Sequence, residues 1–288
     1  MHEAIRVMLN DYRCDTERDY INSLRDILQR LALLGLWRSK FFEHAAFYGG
    51  TAIRLLYGLD RFSEDLDFSL RTPDSDFSMN DYSGSLVREL ESFGFNVDIS
   101  TPRAKSPTAI ESAFLKADTF TQLLVINTDN EILQGIHKRK LLKIKLEVDT
   151  APPPGFETET RYLLKPIPVP VRAYTLPDMF AGKLHAVLFR KWRNRVKGRD
   201  WYDLLWYAGN HPEVHMGHLE ARMRQSGDYQ DEETLTPQKL RDLLEGTIDE
   251  LNINLARNEV SPFVRDQQLL DVWSKELFRS AVKQIIHI

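Results

Sequence analysis

The chain reads as an α+β protein: a mixed sheet flanked by helices, followed by an all-helical C-terminal lobe. Three observations carry this reading. AAFYGGTAIRLLYG and DLDFSL fit strand, glycine turn, helix and strand into about 25 residues. KLLKIKLEVD alternates charged and apolar side chains with the period of a strand. From Thr175 onward the apolar spacing is helical to the last residues. The expected division is an α/β lobe over residues 1–174, including N-terminal helices, and a helical lobe over 175–288.

With 288 residues, 42% of them hydrophobic, the chain can hold one large core or two modest ones. The N-terminal segment carries charges throughout, and no run approaches the roughly 20 apolar residues of a membrane span, so a cytoplasmic protein with no membrane partner is expected. Cys14 is the sole cysteine, which excludes an internal disulfide and leaves oxygen ligands or histidines for any metal. A net charge of −4 argues against an overall basic surface. The charge is uneven, however. Residues 176–210 carry seven Lys or Arg against three Asp, and residues 211–260 carry eleven acids against five bases. This asymmetry fits a polyanion site beside a solvated face, and equally a helix surface laced with ion pairs.

In chain order, residues 1–35 predict two helices, the second with Ile21, Leu24, Ile27, Leu28, Leu31 and Leu34 on one stripe. The strand, turn, helix and strand follow, with the helix stopped at Gly58. A helix is expected over 83–93, strands near 95–100 and 110–117, then KLLKIKLEVD, the APPPG linker and a strand pair within 161–173 whose prolines suit edges or loops. Thr175, Pro177 and Asp178 mark a helix start. Helices are expected over 176–192, 200–208, 237–257 and 265–286, with a loop rich in His and Gly between the second and third.

Three constellations carry chemistry. Gly49, Gly50 and Thr51 open a helix, and fourteen residues after Thr51 come Asp65 and then Asp67. Strand alternation puts the two carboxylates on one face about 6–7 Å apart, with Leu66 and Phe68 turned to the core. Such a pair can hold Mg²⁺ or Mn²⁺ against a triphosphate. Glycines admit backbone N–H groups close to phosphate, the helix start adds its positive end, and the Thr51 hydroxyl is a further donor. In the second constellation, Lys143, Lys145, Glu147 and Asp149 share one strand face. Either that strand is an exposed edge, or Asp149 is a third metal carboxylate, with Lys145 near phosphate or balancing Glu147. The third constellation joins Lys183 to the basic run Arg190, Lys191, Arg193, Arg195, Lys197 and Arg199, ending at Asp200 and Asp203. Gly198 serves as a hinge that returns the chain beside Lys183, whose ammonium can grip a triphosphate; the alternative is a solvated helix face. His211, His215 and His218 cluster in a loop, and His215 and His218 at i, i+3 offer a zinc site only if a third ligand joins them. Phe47, Tyr48 and Trp201 are candidates to stack a base, although core packing suits Phe47 better.

FYGGTAIRLLYGLDRFSEDLDFSL, KIKLEVD and KLHAVLFRKWRNRVKGRDWYDLLWY resemble, in order, three motifs of the AbiEii/AbiGii family of nucleotidyltransferase toxins, which includes MenT-type toxins. The resemblance spans residues 47–207. It implies a DNA polymerase β-like, nucleotidyltransferase-type fold with a helical C-terminal lobe. By the family pattern Gly49, Gly50 and Thr51 bind phosphate, Asp65 and Asp67 hold metal, and Lys183 and Asp203 complete the site, with Arg199 and Asp200 nearby. It further implies transfer of a nucleotide from a nucleoside triphosphate to an acceptor hydroxyl, with the 3′ end of tRNA or another RNA as acceptor and an antitoxin, protein or RNA, as antagonist. Two other readings stand beside it. One is a nucleotidyltransferase acting on a small molecule or a protein. The other is a nucleotide-binding regulator without turnover, against which the retention of both Asp65 and Asp67 argues.

Overall fold

The computed structural model describes residues 2–100, 119–127, 141–190 and 196–288. These form two compact units. The first comprises Met1–Gly58, Phe62–Pro152 and Thr160–Ala173; the second comprises Leu59–Arg61, Pro153–Glu159 and Tyr174–Ile288.

The first unit opens with α1 (Glu3–Leu9) and α2 (Glu17–Arg38). Thr16 and Asp19 close a reciprocal capping box at the start of α2, and of the expected stripe Leu24, Ile27, Leu28, Leu31 and Leu34 are buried and Ile21 half-buried. Then come β1 (Ala45–Tyr48), α3 (Gly49–Tyr57), β2 (Leu66–Leu70), α4 (Asn80–Ser92), β3 (Asn96–Ser100), β4 (Thr119–Asn127), β5 (Leu141–Asp149), β6 (Thr158–Leu163) and β7 (Val169–Tyr174). The described strands form a mixed sheet in the order β3-β4-β5-β2-β1-β7-β6. The chain is thus α+β, with helices flanking a seven-stranded mixed sheet. β2 runs antiparallel to β1 and parallel to β5.

β5 is a central strand, which overturns the reading of its charged face as an exposed edge. Its other face buries Ile144, Leu146 and Val148 beside Leu66 and Phe68 of β2. β4 was not anticipated, because its run LLVI lacks the alternation that marks a strand with one wet face. The strand expected near 110–117 lies outside the described residues. α3 is tied to α2 through Arg54, which donates to the buried Asp26. That pair joins the helix behind the glycine turn to the longest helix of the unit.

The second unit holds α5 (Leu176–Phe189), α6 (Gly198–Asn210), β8 (Glu213–Val214), α7 (Met216–Ser226), α8 (Pro237–Glu250), α9 (Ile253–Val260), α10 (Gln268–Asp271), α11 (Lys275–Val282) and β9 (Ile286–His287). Its core includes Phe180 stacked on Tyr207, with ring centroids 4.3 Å apart, and Trp201 edge-on to Phe278. The expectation of helices alone requires corrections. β8 and β9 form a short parallel pair, and the loop rich in His and Gly contains α7. The long helices expected over 237–257 and 265–286 are interrupted. Asn252 accepts a bond from the Leu255 N–H and restarts the chain as α9, and Ser274 does the same for Leu277 at α11. α5 ends at Phe189 rather than 192. No described helix is long and apolar enough to cross a membrane.

His218, 0% exposed, rests edge-on to Phe156 and Tyr174, with Nδ1 3.2 Å from the Pro154 carbonyl. Burial, with Arg222 adding to it, lowers its pKa from 6.5 to about 4. The folded protein therefore holds this ring neutral where the unfolded chain binds a proton. The stability that depends on this neutral ring is complete above pH 6.5 and declines as pH falls toward 4. His218→Gln is expected to remove up to about 1.4 kcal/mol per pH unit from the slope of unfolding free energy in that window. Urea unfolding of both proteins at several pH values measures it, and identical slopes would contradict it.

Candidate active site

In the first unit the site grows from the turn between β1 and α3. Tyr48 is extended, and Gly49 follows with φ of 81°, in the left-handed region that a side chain disfavours. Space imposes a second requirement. A Cβ on Gly49 would lie 2.4 Å from Oδ2 of Asp67. Antiparallel pairing explains the closeness, since Asp67 stands opposite Tyr48 in the register of β1 with β2. Asp65 lies one residue ahead of β2 rather than inside it, yet the alternation holds: Leu66 and Phe68 are buried, Asp65 and Asp67 half-buried. Gly50 and Thr51 are buried in the first turn of α3. The Thr51 hydroxyl, expected at phosphate, instead donates to the main-chain carbonyl of Asp65. Thr51 therefore ties the helix start to the residue that begins the acidic pair.

The parallel register of β2 with β5 decides which acid neighbours that pair. Glu147 is level with Asp67, whereas Asp149 is level with Ser69. This face of the sheet is open at the beginnings of the two strands and covered toward their ends. Asp65, Asp67, Lys145 and Glu147 are half-buried, while Ser69 and Asp149 are buried. Asp149 accepts a bond from the Ala151 N–H, 3.2 Å away, in the turn that follows. Glu147 rather than Asp149 is thereby the acid level with Asp67, and Lys145 contacts Glu147 in an ion pair. Periodicity could not make this choice, because both acids have the same parity. Among the described residues no group of three or more His, Cys, Asp or Glu side chains is placed to hold a metal ion by itself. A carboxylate pair suffices for magnesium, which commonly binds one or two carboxylates together with substrate phosphates.

In the second unit, Lys183 of α5 meets two aspartates of α6. Its Nζ is 2.7 Å from Asp203 Oδ2 and 3.3 Å from Asp200 Oδ1. Arg61, which the sequence reading missed, donates Nε and Nη2 to the two oxygens of Asp203, each at 2.6 Å. Arg61 and Asp203 are 2% and 0% exposed, and a fully buried guanidinium without this fork would be strongly disfavoured. Arg190 contacts Asp200 at 3.0 Å. Burial works against ionisation of Asp200, but Arg190, Lys183 and Lys197 outweigh it and hold its carboxyl far below the usual range.

The remaining expected residues have other partners. Arg199 lies 3.5 Å from Glu259 and stacks over the Phe263 ring, and its main-chain N–H donates to Glu259, so it braces the start of α6. Lys191, Arg193 and Arg195 lie outside the described residues. Gly198 is a point of close packing rather than a hinge, since a Cβ there would come 1.9 Å from the Ala256 carbonyl oxygen. His215 contacts Asp178 at 2.7 Å, so it and His218 each have a protein partner. Phe47 and Trp201 are core residues and present no face for a base, unlike the half-buried Tyr48.

The description "Nucleotidyl transferase AbiEii toxin, Type IV TA system" belongs to a family model that matches residues 31–283. The chain belongs to the AbiEii family. It is accordingly a nucleotidyltransferase of a toxin family, and membership implies a triphosphate substrate and an antitoxin counterpart. Among solved structures, JHP933 from Helicobacter pylori is similar over 90% of this chain and 89% of its own, at 18% identity and a TM-score of 0.51. That likeness supports the fold. A candidate nucleotidyltransferase from H. pylori aligns over 89% of this chain and 90% of its own, at 19% identity and a TM-score of 0.46. No curated protein matches.

For this AbiEii-family chain, the double demand on Gly49 gives a direct test. Gly49→Ala forces a side chain into the left-handed region, at about 1–2 kcal/mol, and pushes the Asp67 carboxylate from its place. Transfer is expected to fall below roughly a tenth of wild type, more than unfolding alone accounts for. Parallel activity and thermal-unfolding measurements check it, and near-normal activity would show that the Asp67 position is unimportant.

Proposed function

We propose that this nucleotidyltransferase is metal-dependent, that it moves a nucleoside monophosphate from a triphosphate to an acceptor hydroxyl, and that the acceptor is the 3′ end of tRNA. One observation carries the reading: the Asp67 carboxylate is seated against a glycine turn that no other residue could replace, with Asp65 beside it. A structural carboxylate needs no such turn, whereas a phosphate-binding helix start beside a metal-binding pair does.

The oxygen donors suit Mg²⁺ or Mn²⁺, with Asp65 and Asp67 as ligands and Glu147 the further acid level with Asp67. A bound divalent ion would supply positive charge to the phosphate oxygens. The residues do the rest of the work. The main-chain N–H groups at Gly49, Gly50 and Thr51 face the triphosphate at the positive end of α3. Thr51 fixes the backbone of Asp65, and Lys145 holds Glu147. On the family pattern, Lys183 provides a cation for the triphosphate and Asp203 positions it. The tRNA acceptor, and with it a cytoplasmic location, rests on the family resemblance and on the basic run of the sequence from Arg190 to Arg199.

Incubation with each labelled nucleoside triphosphate, Mg²⁺ and total RNA tests donor and acceptor together. Label at the 3′ end of tRNA is expected, and none when EDTA is present from the start of the incubation. Label only in protein or in a small molecule would move the acceptor to those classes, and no transfer with any triphosphate would reject the reading. Asp67→Asn should lower transfer to below about a tenth while leaving the unfolding midpoint unchanged.

A further inference from the structure

The charges around Lys183 do not balance, and the imbalance gives Arg61 and Arg190 a task beyond packing. Lys183 contacts both Asp200 and Asp203. Were these its only neighbours, two carboxylates would more than cancel one ammonium, and a triphosphate would meet a net negative cluster. The structure supplies a separate cation for each acid. Arg61 occupies both oxygens of Asp203, and Arg190 takes the oxygen of Asp200 that Lys183 leaves. Glu259, a further acid that acts on Arg61, is bound by Arg199.

We infer that Arg61 and Arg190 are counter-ions to Asp203 and Asp200, positioning residues whose presence leaves the charge of Lys183 available to a phosphoryl anion. The aspartates then aim the ammonium without consuming it. Lys197 supports this accounting. Burial first, and then the positive charges of Arg190, Arg199 and Lys183 against the opposing pull of Asp200, bring it from 10.5 to about 8, in keeping with the cations gathered there. The four cations Arg61, Lys183, Arg190 and Lys197 surround two carboxylates.

The inference rests on the proposed role of Lys183, and the test separates the two. Binding of inorganic tripolyphosphate to the full chain, without divalent metal, is measured by calorimetry alongside thermal unfolding. Wild type is expected to bind, and Lys183→Ala to bind at least roughly tenfold more weakly. Arg190, 29% exposed on its side chain, is the tractable counter-ion. Arg190→Gln should weaken binding by a similar factor, Arg190→Lys should stay near wild type, and the double variant Arg190→Gln/Asp200→Asn should recover to within about threefold. Recovery is the deciding result, because removing the acid restores the balance without restoring any contact that Arg190 itself makes.

If the double variant stays as weak as Arg190→Gln, then Arg190 touches the anion directly and the counter-ion role is overturned. An Arg190→Gln variant that binds normally while Lys183→Ala does not also overturns it, with the reading of Lys183 intact. Unaltered binding by Lys183→Ala, or none by wild type, rejects that reading and the inference together. Should Arg190→Gln melt early, Arg190→Lys remains informative: loss of binding with normal unfolding contradicts a role in charge alone.

Discussion

Gly49 and Asp67 compete for one small volume, and the first unit is arranged so that the carboxylate wins. Antiparallel pairing of β1 with β2 brings Asp67 level with Tyr48, and the next residue must turn into α3 without a side chain. The surroundings prevent either partner from relaxing away. Thr51 ties the helix start to the Asp65 carbonyl, and Arg54 ties the same helix to Asp26 on α2. Leu66 and Phe68 anchor the opposite face of β2 in the core. A helix start, with its positive dipole end, is thus held against two half-buried carboxylates. Paired carboxylate oxygens beside a helix start are the donor set on which the proposed metal dependence rests.

The second unit solves a different electrostatic problem. Asp200 and Asp203 lie on one face of α6 and are almost completely buried, an arrangement that is costly unless each acid is matched. Arg61 and Arg190 match them, and Lys183 lies between. Close packing of Gly198 on Ala256, with Arg199 held by Glu259, fixes where α6 begins and therefore where both acids point. The basic run is in part a set of internal ion pairs, as Arg190 and Arg199 show, so its charge cannot be read wholly as a surface for RNA.

Much of this was legible in the sequence, because its periods are local. Strand alternation placed Asp65 and Asp67 together and Leu66 and Phe68 opposite, and the charged face of β5 followed from the same rule. What escaped depends on partners distant in the chain. Choosing Glu147 over Asp149 required the register of β5 against β2, which no period contains. Arg61, in a short segment between a helix and a strand, gave no sign that its partner would be Asp203. The breaks at Asn252 and Ser274 were visible in principle, since both are good capping residues, but continuous apolar spacing outweighed them. The Thr51 hydroxyl was legible as a donor, but its acceptor was not.

Binding of Mn²⁺ in the presence of a non-hydrolysable triphosphate, followed by electron paramagnetic resonance, tests the central claim most directly. Wild type and Asp149→Asn are expected to bind the ion with similar affinity, Glu147→Gln more weakly, and Asp67→Asn at least about tenfold more weakly than wild type. Undiminished binding by Asp67→Asn, or loss confined to Asp149→Asn, would contradict the assignment of the ion to the carboxylate that Gly49 accommodates.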